Sequence, residues 1–362
     1  MVSKACVVGA YQKKLEELAA FLDIDLTVVV PPVWKDERGA LHLEQLYTDG
    51  YRIVVSPLAF NGHFHLHFFP ALPKLMRALR PDILHIDEEP YNLSTWLAVR
   101  AARSVGARSV FFTWQNLVRR YPPPFSWMEQ SVLSNVAYGI AGNQEAIQVW
   151  RSKGYQGGMK VIPQFGVDPG LYPYRSPRRL DGAPLVIGYV GRLVEEKGVD
   201  LVLRAAAQLE DDWTIRILGS GPLRSSLRVL AERLAIASRV EFLPPISSTG
   251  IPQFMHGLDV LVLPSRTRTN WKEQFGRVLV EAMACGVPVI GSDSGEIPFV
   301  VGDAGLVFPE GDAGALCQDL RRLRDDGLRE QLARAGRARM LTHYTQVHIA
   351  RETRDVYLEM LA

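Results

Sequence analysis

Glu273 and Glu281 flank a glycine-bearing turn in the stretch PSRTRTNWKEQFGRVLVEAMACG (264–286). Their separation is about two helical turns at 3.6 residues per turn. A helix opened by Gln274, Phe275 and Gly276 and running to Cys285 would therefore point both carboxylates to about the same side of its axis. Glu281 sits among Val278, Leu279, Ala282 and Met283. A carboxylate in such company needs a partner, and the hydroxyls of a ligand suit it. The plainer alternatives are dipole stabilisation for Glu273 and a solvated helix face for Glu281.

Cations come from a second stretch, GYVGRLVEEKGVD (188–200). Gly191 allows a tight turn after a strand, and Arg192 and Lys197 stand where the next helix begins, near Gly198. An arginine that grips two oxygens, a lysine and a helix amino terminus together suit a diphosphate; taken alone, both side chains also read as ordinary solvated cations. In LGSGPLR (218–224), Gly219 and Gly221 permit close approach of a ligand to the backbone. The third glycine of a dinucleotide fingerprint is replaced by Arg224, and no P-loop occurs.

The first half offers Asp87, Glu88 and Glu89 at a strand end, placed either to face an acceptor or to cap the helix that follows. Gln115 and Asn116 follow another strand and can hydrogen-bond but cannot act as general bases. His63, His65 and His67 alternate, which on a strand places them on one face about 7 Å apart, too far for one small ion; no metal site is expected. Asp23 and Asp25 precede a strand and read as a turn. Leu72, Leu75, Met76 and Leu79 interleave with Lys74, Arg77 and Arg80 as an amphipathic surface helix. That helix and the loop YPPPFSW (121–127) leave peripheral contact with a membrane open.

These groups need a scaffold. Strands are expected at KACVVGA, LTVVVPP, RIVVSPL, DILHIDE, SVFFTWQ, YGIAGN and KVIPQFG, with helices between most of them. The alternation restarts with LVIGYVGRL, TIRILGS, VEFLPP, DVLVLPS, VPVIGSDS and GLVFPE. Continuous apolar strands alternating with helices indicate doubly wound parallel sheets. The 362 residues then divide into a domain over 1–168, a proline-rich linker over 169–184, a second domain over 185–344 and a terminal helix over 345–362. Ligands of such sheets sit beyond the carboxyl ends of the strands, so a cleft between two facing domains is expected. A net charge of +2 gives no basic field for nucleic acid. Three isolated cysteines point to a reducing compartment. With neither a secretory leader nor an apolar span of about 18 residues, a cytoplasmic protein is expected.

Two glutamates so spaced, followed by EAMACGVPVIGSDSGEIP, resemble the signature of the retaining glycosyltransferases of family 4. The resemblance continues through GRLVEEKG, LGSGPLR, DVLVLPS and VIPQFGVD. It covers essentially the whole second domain; the first matches in element order and at PDILHIDEEP. It implies the GT-B fold, two facing Rossmann-like domains, and a nucleotide sugar, most often a uridine-diphosphate sugar, as donor, with no cofactor. By position, Arg192 and Lys197 resemble the diphosphate pair, Glu281 the ribose-holding carboxylate, and Glu273 the carboxylate facing the donor sugar. Gly191, Gly219, Gly221, Gln274, Phe275, Gly276, Arg277 and Val278 complete the implied donor site. The implied catalytic group is Glu273, Arg192 and Lys197, and the acceptor lies by Asp87, Glu88, Glu89, Gln115 and Asn116. The chain departs from the family where a histidine often follows the strand that here reads SVFFTWQN, so no catalytic histidine is assigned. An epimerase or phosphorylase on the same scaffold, or a non-catalytic nucleotide-sugar binder, are the alternatives.

Overall fold

The computed structural model describes residues 1–36, 39–176 and 183–362. The chain divides into two compact units, one of Met1–Gly166 with Gln346–Ala362, the other of Val167–Thr345. The division thus falls ahead of the expected linker, whose residues 177–182 lie outside the described residues.

In the first unit the strands are Thr27–Val30 (β1), Val33–Asp36 (β2), Gly39–His42 (β3), Arg52–Val55 (β4), Ile83–Ile86 (β5), Arg108–Thr113 (β6), Tyr138–Ala141 (β7) and Gly158–Val161 (β8). β1 and β4 pair in parallel, as do β5, β6, β7 and β8 in that order. Val2 bridges β1 and β5, so the spatial order is β4, β1, Val2, β5, β6, β7, β8. The strand expected at Lys4–Ala10 is absent: Ala5–Val7 and Gly9–Tyr11 are short helical turns. Met1–Ser3 occupy the strand position instead. The Val2 amide donates to the His85 carbonyl at 2.8 Å, and the Val29 amide donates to the Met1 carbonyl at 2.9 Å. The antiparallel hairpin of β2 and β3 was not expected. His63, His65 and His67 lie in turns, not on a strand. The YPPPFSW segment ends inside a helix, Phe125–Leu133.

The helix Leu72–Leu79 buries Leu72 and Met76 against the sheet and keeps Lys74 and Arg77 exposed. The terminal helix Gln346–Leu361 packs Ile349, Ala350, Val356, Tyr357 and Met360 against Leu15, Leu18 and Val28.

The second unit is one parallel sheet of Leu185–Val190 (β9), Trp213–Leu218 (β10), Val240–Leu243 (β11), Val260–Leu263 (β12), Val289–Ser292 (β13) and Leu306–Phe308 (β14). Its order is β11-β10-β9-β12-β13-β14, which in chain order within the unit is 3-2-1-4-5-6, the doubly wound Rossmann order. Helices cover it, and every residue of β12 and β13 is buried, the reason these strands read as unbroken apolar runs. Among the described residues, no helix is long and apolar enough to cross a membrane.

Candidate active site

In a sheet of this order the loops after the first and fourth strands diverge, opening a crevice at the carboxyl ends. Here those loops follow β9 and β12. The first contains Gly191, Arg192 and a short turn, Glu195–Lys197, ending at Gly198, from which the helix Val199–Ala206 starts. The second runs from Pro264 to Gly276 and contains Glu273.

The two loops meet at one ion pair. Lys197 Nζ donates to Glu273 Oε2 at 2.6 Å, and the Ser265 hydroxyl donates to the same oxygen at 2.6 Å. Glu273 is 6% exposed, and these donors satisfy its buried oxygen. Lys197 Nζ also lies 4.9 Å from the centre of the Trp271 ring. Arg192 is exposed, and its carbonyl accepts from the Tyr189 hydroxyl at 2.7 Å.

The helix after Glu273 begins at Arg277, with Gly276 as N-cap at φ 77°. Glu273 therefore precedes the helix, and the expected same-side alignment with Glu281 does not apply. No side-chain hydrogen bond caps this helix, and the Leu279 amide donates to the Gly276 carbonyl at 2.8 Å. Gln274 is exposed, Val278 is half-buried, and Phe275 packs edge-on against Tyr344 with ring centres 5.7 Å apart. Glu281 has partners within the protein: Arg277 Nε donates to Oε1 at 2.9 Å, and the Tyr172 hydroxyl hydrogen-bonds it. Burial, with the Glu281 charge beside it, raises the proton affinity of Tyr172.

The backbone at Gly219 and Gly221 packs closely on the loop after β9. A Cβ on Gly219 would lie 1.9 Å from the Gly191 carbonyl oxygen, and one on Gly221 2.4 Å from that of Leu193. These glycines let the loop after β10 pack directly on the backbone of the loop after β9, beside Arg192.

In the first unit all three expected carboxylates are engaged by protein groups. Asp87 accepts from the Ser3 hydroxyl at 2.5 Å and from Gln164 Nε2 at 2.8 Å, and burial raises its pKa. Glu88 pairs with Lys4 and accepts from Asn92 Nδ2 at 3.2 Å, while His67 Nε2 lies 3.2 Å away. Burial alone would raise its pKa; Lys4 and His67 outweigh that and hold it at about 2. Glu89 accepts from the Thr113 hydroxyl at 2.6 Å and the Trp114 amide at 2.7 Å, yet burial pushes its carboxyl up to about 7. None of the three caps the helix Leu93–Arg103, whose N-cap is Asn92. Gln115 and Asn116 are buried; Gln115 Nε2 donates to the Leu117 carbonyl at 2.8 Å, and its Oε1 has no hydrogen-bond partner among the described residues.

Ser265, Trp271, Lys4 and Gln164 were not singled out from sequence. Trp271 alone carried a signal, standing two residues before Glu273 in a stretch with no apolar period.

Residues 174–339 match the glycosyl transferases group 1 family. A D-inositol 3-phosphate glycosyltransferase of Salinispora tropica is 33% identical over 202 residues, 51% of this chain and 41% of that protein. Its counterpart in Mycobacterium marinum is 41% identical over 125 residues, 33% and 25% of the two chains. The matches thus span less than half the length of these relatives. Among solved structures, HepE of Anabaena in complex with UDP superposes with a TM-score of 0.72 at 19% identity, covering 99% of this chain and 98% of that one. A glycosyltransferase of Rickettsia africae gives 0.72 at 14% identity, covering 99% and 97%. The segment that holds Lys197, Glu273 and Glu281 therefore matches the glycosyl transferases group 1 family, on a chain whose fold is GT-B.

Proposed function

We propose that this chain is a retaining, metal-independent glycosyltransferase of family 4, taking a hexose from a uridine-diphosphate sugar. Lys197 and Glu273, joined at the switch point of a 3-2-1-4-5-6 sheet inside the group 1 segment, carry this reading. The glycosyltransferase names of the relatives and the UDP in the HepE structure agree with it. Arg192 and Lys197 hold the diphosphate, the amides opening the helix Arg277–Cys285 add to that field, Glu281 holds the ribose, and Glu273 faces the sugar. In the reaction the bond from the sugar C1 to the diphosphate oxygen breaks and an acceptor oxygen bonds to C1 on the same face. The acceptor proton passes to the departing diphosphate. The preorganised cations and helix-start amides stabilise that leaving group. Asp87, Glu88, Glu89, Gln115 and Asn116 belong to the acceptor side. All three cysteines are unpaired, which supports a cytoplasmic setting.

A melting panel of nucleotide sugars in chelator tests this. A donor at a hundred times its Kd stabilises the fold by about 2.7 kcal/mol. The expected result is stabilisation by UDP-glucose or UDP-N-acetylglucosamine, followed by sugar transfer in chelator. Stabilisation by GDP-mannose alone, or activity restored only by magnesium or manganese, overturns the assignment. In the same assay Glu281→Gln raises the donor KM, because the ribose does not react. Glu273→Gln mainly lowers kcat while UDP still binds.

A further inference from the structure

The loop after β12 makes a small hairpin before it reaches Glu273. The Arg268 amide donates to the Trp271 carbonyl at 2.7 Å, and the Trp271 amide returns a bond to the Arg268 carbonyl at 3.3 Å, closing a turn over Thr269 and Asn270. The two residues that lead into the hairpin are anchored to neighbouring loops. Arg266 pairs with Asp200 at 2.9 Å, and its amide donates to the Glu196 carbonyl at 2.8 Å. Beside Arg266, the Thr267 amide donates to Glu310 at 2.6 Å. A segment tied to the loops after β9 and β14 holds its side chains in fixed positions.

The side chain it presents at the site is Trp271. The indole is half-buried rather than inserted in the core, and it flanks the Lys197 ammonium, 4.9 Å from the ring centre, that Glu273 grips at 2.6 Å. A half-buried aromatic ring and a carboxylate that meet at one cation can form a sugar-binding pair: the carboxylate takes hydroxyls and the ring packs against C–H groups. We propose that Trp271 is a donor-sugar contact residue, stacking on the hexose and setting which hexoses are accepted. This rests on the glycosyltransferase reading above. Because a flat ring accepts C–H groups and not hydroxyls, the orientation of the hydroxyls on the stacked face decides the fit.

The test is steady-state kinetics with UDP-glucose and UDP-galactose, plus calorimetric titration of UDP, on wild type, Trp271→Phe and Trp271→Leu. In the leucine variant, kcat/KM for the better donor falls about tenfold and the ratio between the two donors changes at least fivefold. UDP affinity stays within twofold, and phenylalanine restores most of the loss. An unchanged ratio between the donors overturns the proposal. So does a loss of UDP affinity equal to the loss in kcat/KM, which would show that Trp271 only keeps Lys197 in place. If wild type binds UDP but transfers neither sugar to any acceptor, nor hydrolyses either donor, the glycosyltransferase reading itself fails, and the proposal falls with it.

Discussion

Glu88 and Glu89 are adjacent in the chain and have opposite proton affinities. Glu88 is held at about 2 by Lys4 and His67 against the effect of its burial, whereas burial dominates at Glu89 and lifts it to about 7. The charges nearest Glu89 are Glu88, which raises its pKa, and Lys4, which lowers it. The folded state thus holds the Glu89 proton more tightly than the unfolded chain, so its stabilising contribution is full below about 4.5 and lost as pH rises through about 7. The difference corresponds to about 3 kcal/mol. The contribution of Glu88 has the opposite sign, full above about 4.5 and lost only as pH falls through about 2, so it leaves the 4.5–7 window to Glu89. Between pH 5 and pH 7.5 the urea midpoint of wild type should therefore drop relative to that of Glu89→Gln. Equal pH dependence in both proteins would show that Glu89 does not carry the transition. Nothing in the DEEP string distinguishes the two acids; apart from Asn92, the partners named here, Lys4, His67, Thr113 and Trp114, are distant in sequence.

At the level of elements, both units place a lysine after the first strand of the sheet and a carboxylate after the fourth. Lys197 pairs with Glu273, and Lys4 pairs with Glu88, each lysine with aromatic rings beside it. A Rossmann sheet makes this arrangement available because the loops after those two strands are neighbours at the switch point. The loop after β9 is further fixed by the glycines after β10. Gly219 has φ 151°, and an added Cβ meets the Gly191 carbonyl oxygen at 1.9 Å. Gly219→Ala combines backbone strain with overpacking against main chain, which cannot yield as a side chain does. The expected cost is about 3 kcal/mol in a urea melt, with weakened UDP binding as the β9 loop shifts. A variant as stable as wild type would show that the loop accommodates the methyl group. The composition of CVVGA suits a strand, but position in the sheet is decided by backbone pairing, and Met1–Ser3 already pair with β1 and β5 there.

For the whole molecule, the two units differ in how they depend on chain connectivity. A core cluster of the second unit runs from Leu185 to Leu332, inside the single stretch Val167–Thr345 that forms the unit. The first unit closes only when the chain returns, because Ile349, Val356 and Met360 from the terminal helix are 0–4% exposed within its core. Burial of three such side chains contributes roughly 5–9 kcal/mol, comparable with the entire net stability of about 5–15 kcal/mol of a typical domain. A fragment of residues 167–345 should therefore unfold cooperatively and bind UDP, while residues 1–166 alone should show no cooperative transition. Cooperative unfolding of 1–166 would mean that the terminal helix is dispensable; an unfolded 167–345 would mean that the second unit needs the first.

From sequence alone came the alternation of strands and helices, the doubly wound class of both units and the residues that populate the loops after β9 and β12. These are local or periodic properties, set by apolar runs, glycines and helix-start positions within a few residues of one another. Tertiary structure decided the partners. Glu281 accepts from Arg277 one turn earlier and from Tyr172, brought in from outside the helix. Gly219 and Gly221 serve contact between loops, and the first strand position is filled by three residues that composition did not single out. Lys197 meets Glu273, 76 positions further along the chain. Such pairings depend on strand order, which arises when the whole sheet assembles and which no short window of residues encodes.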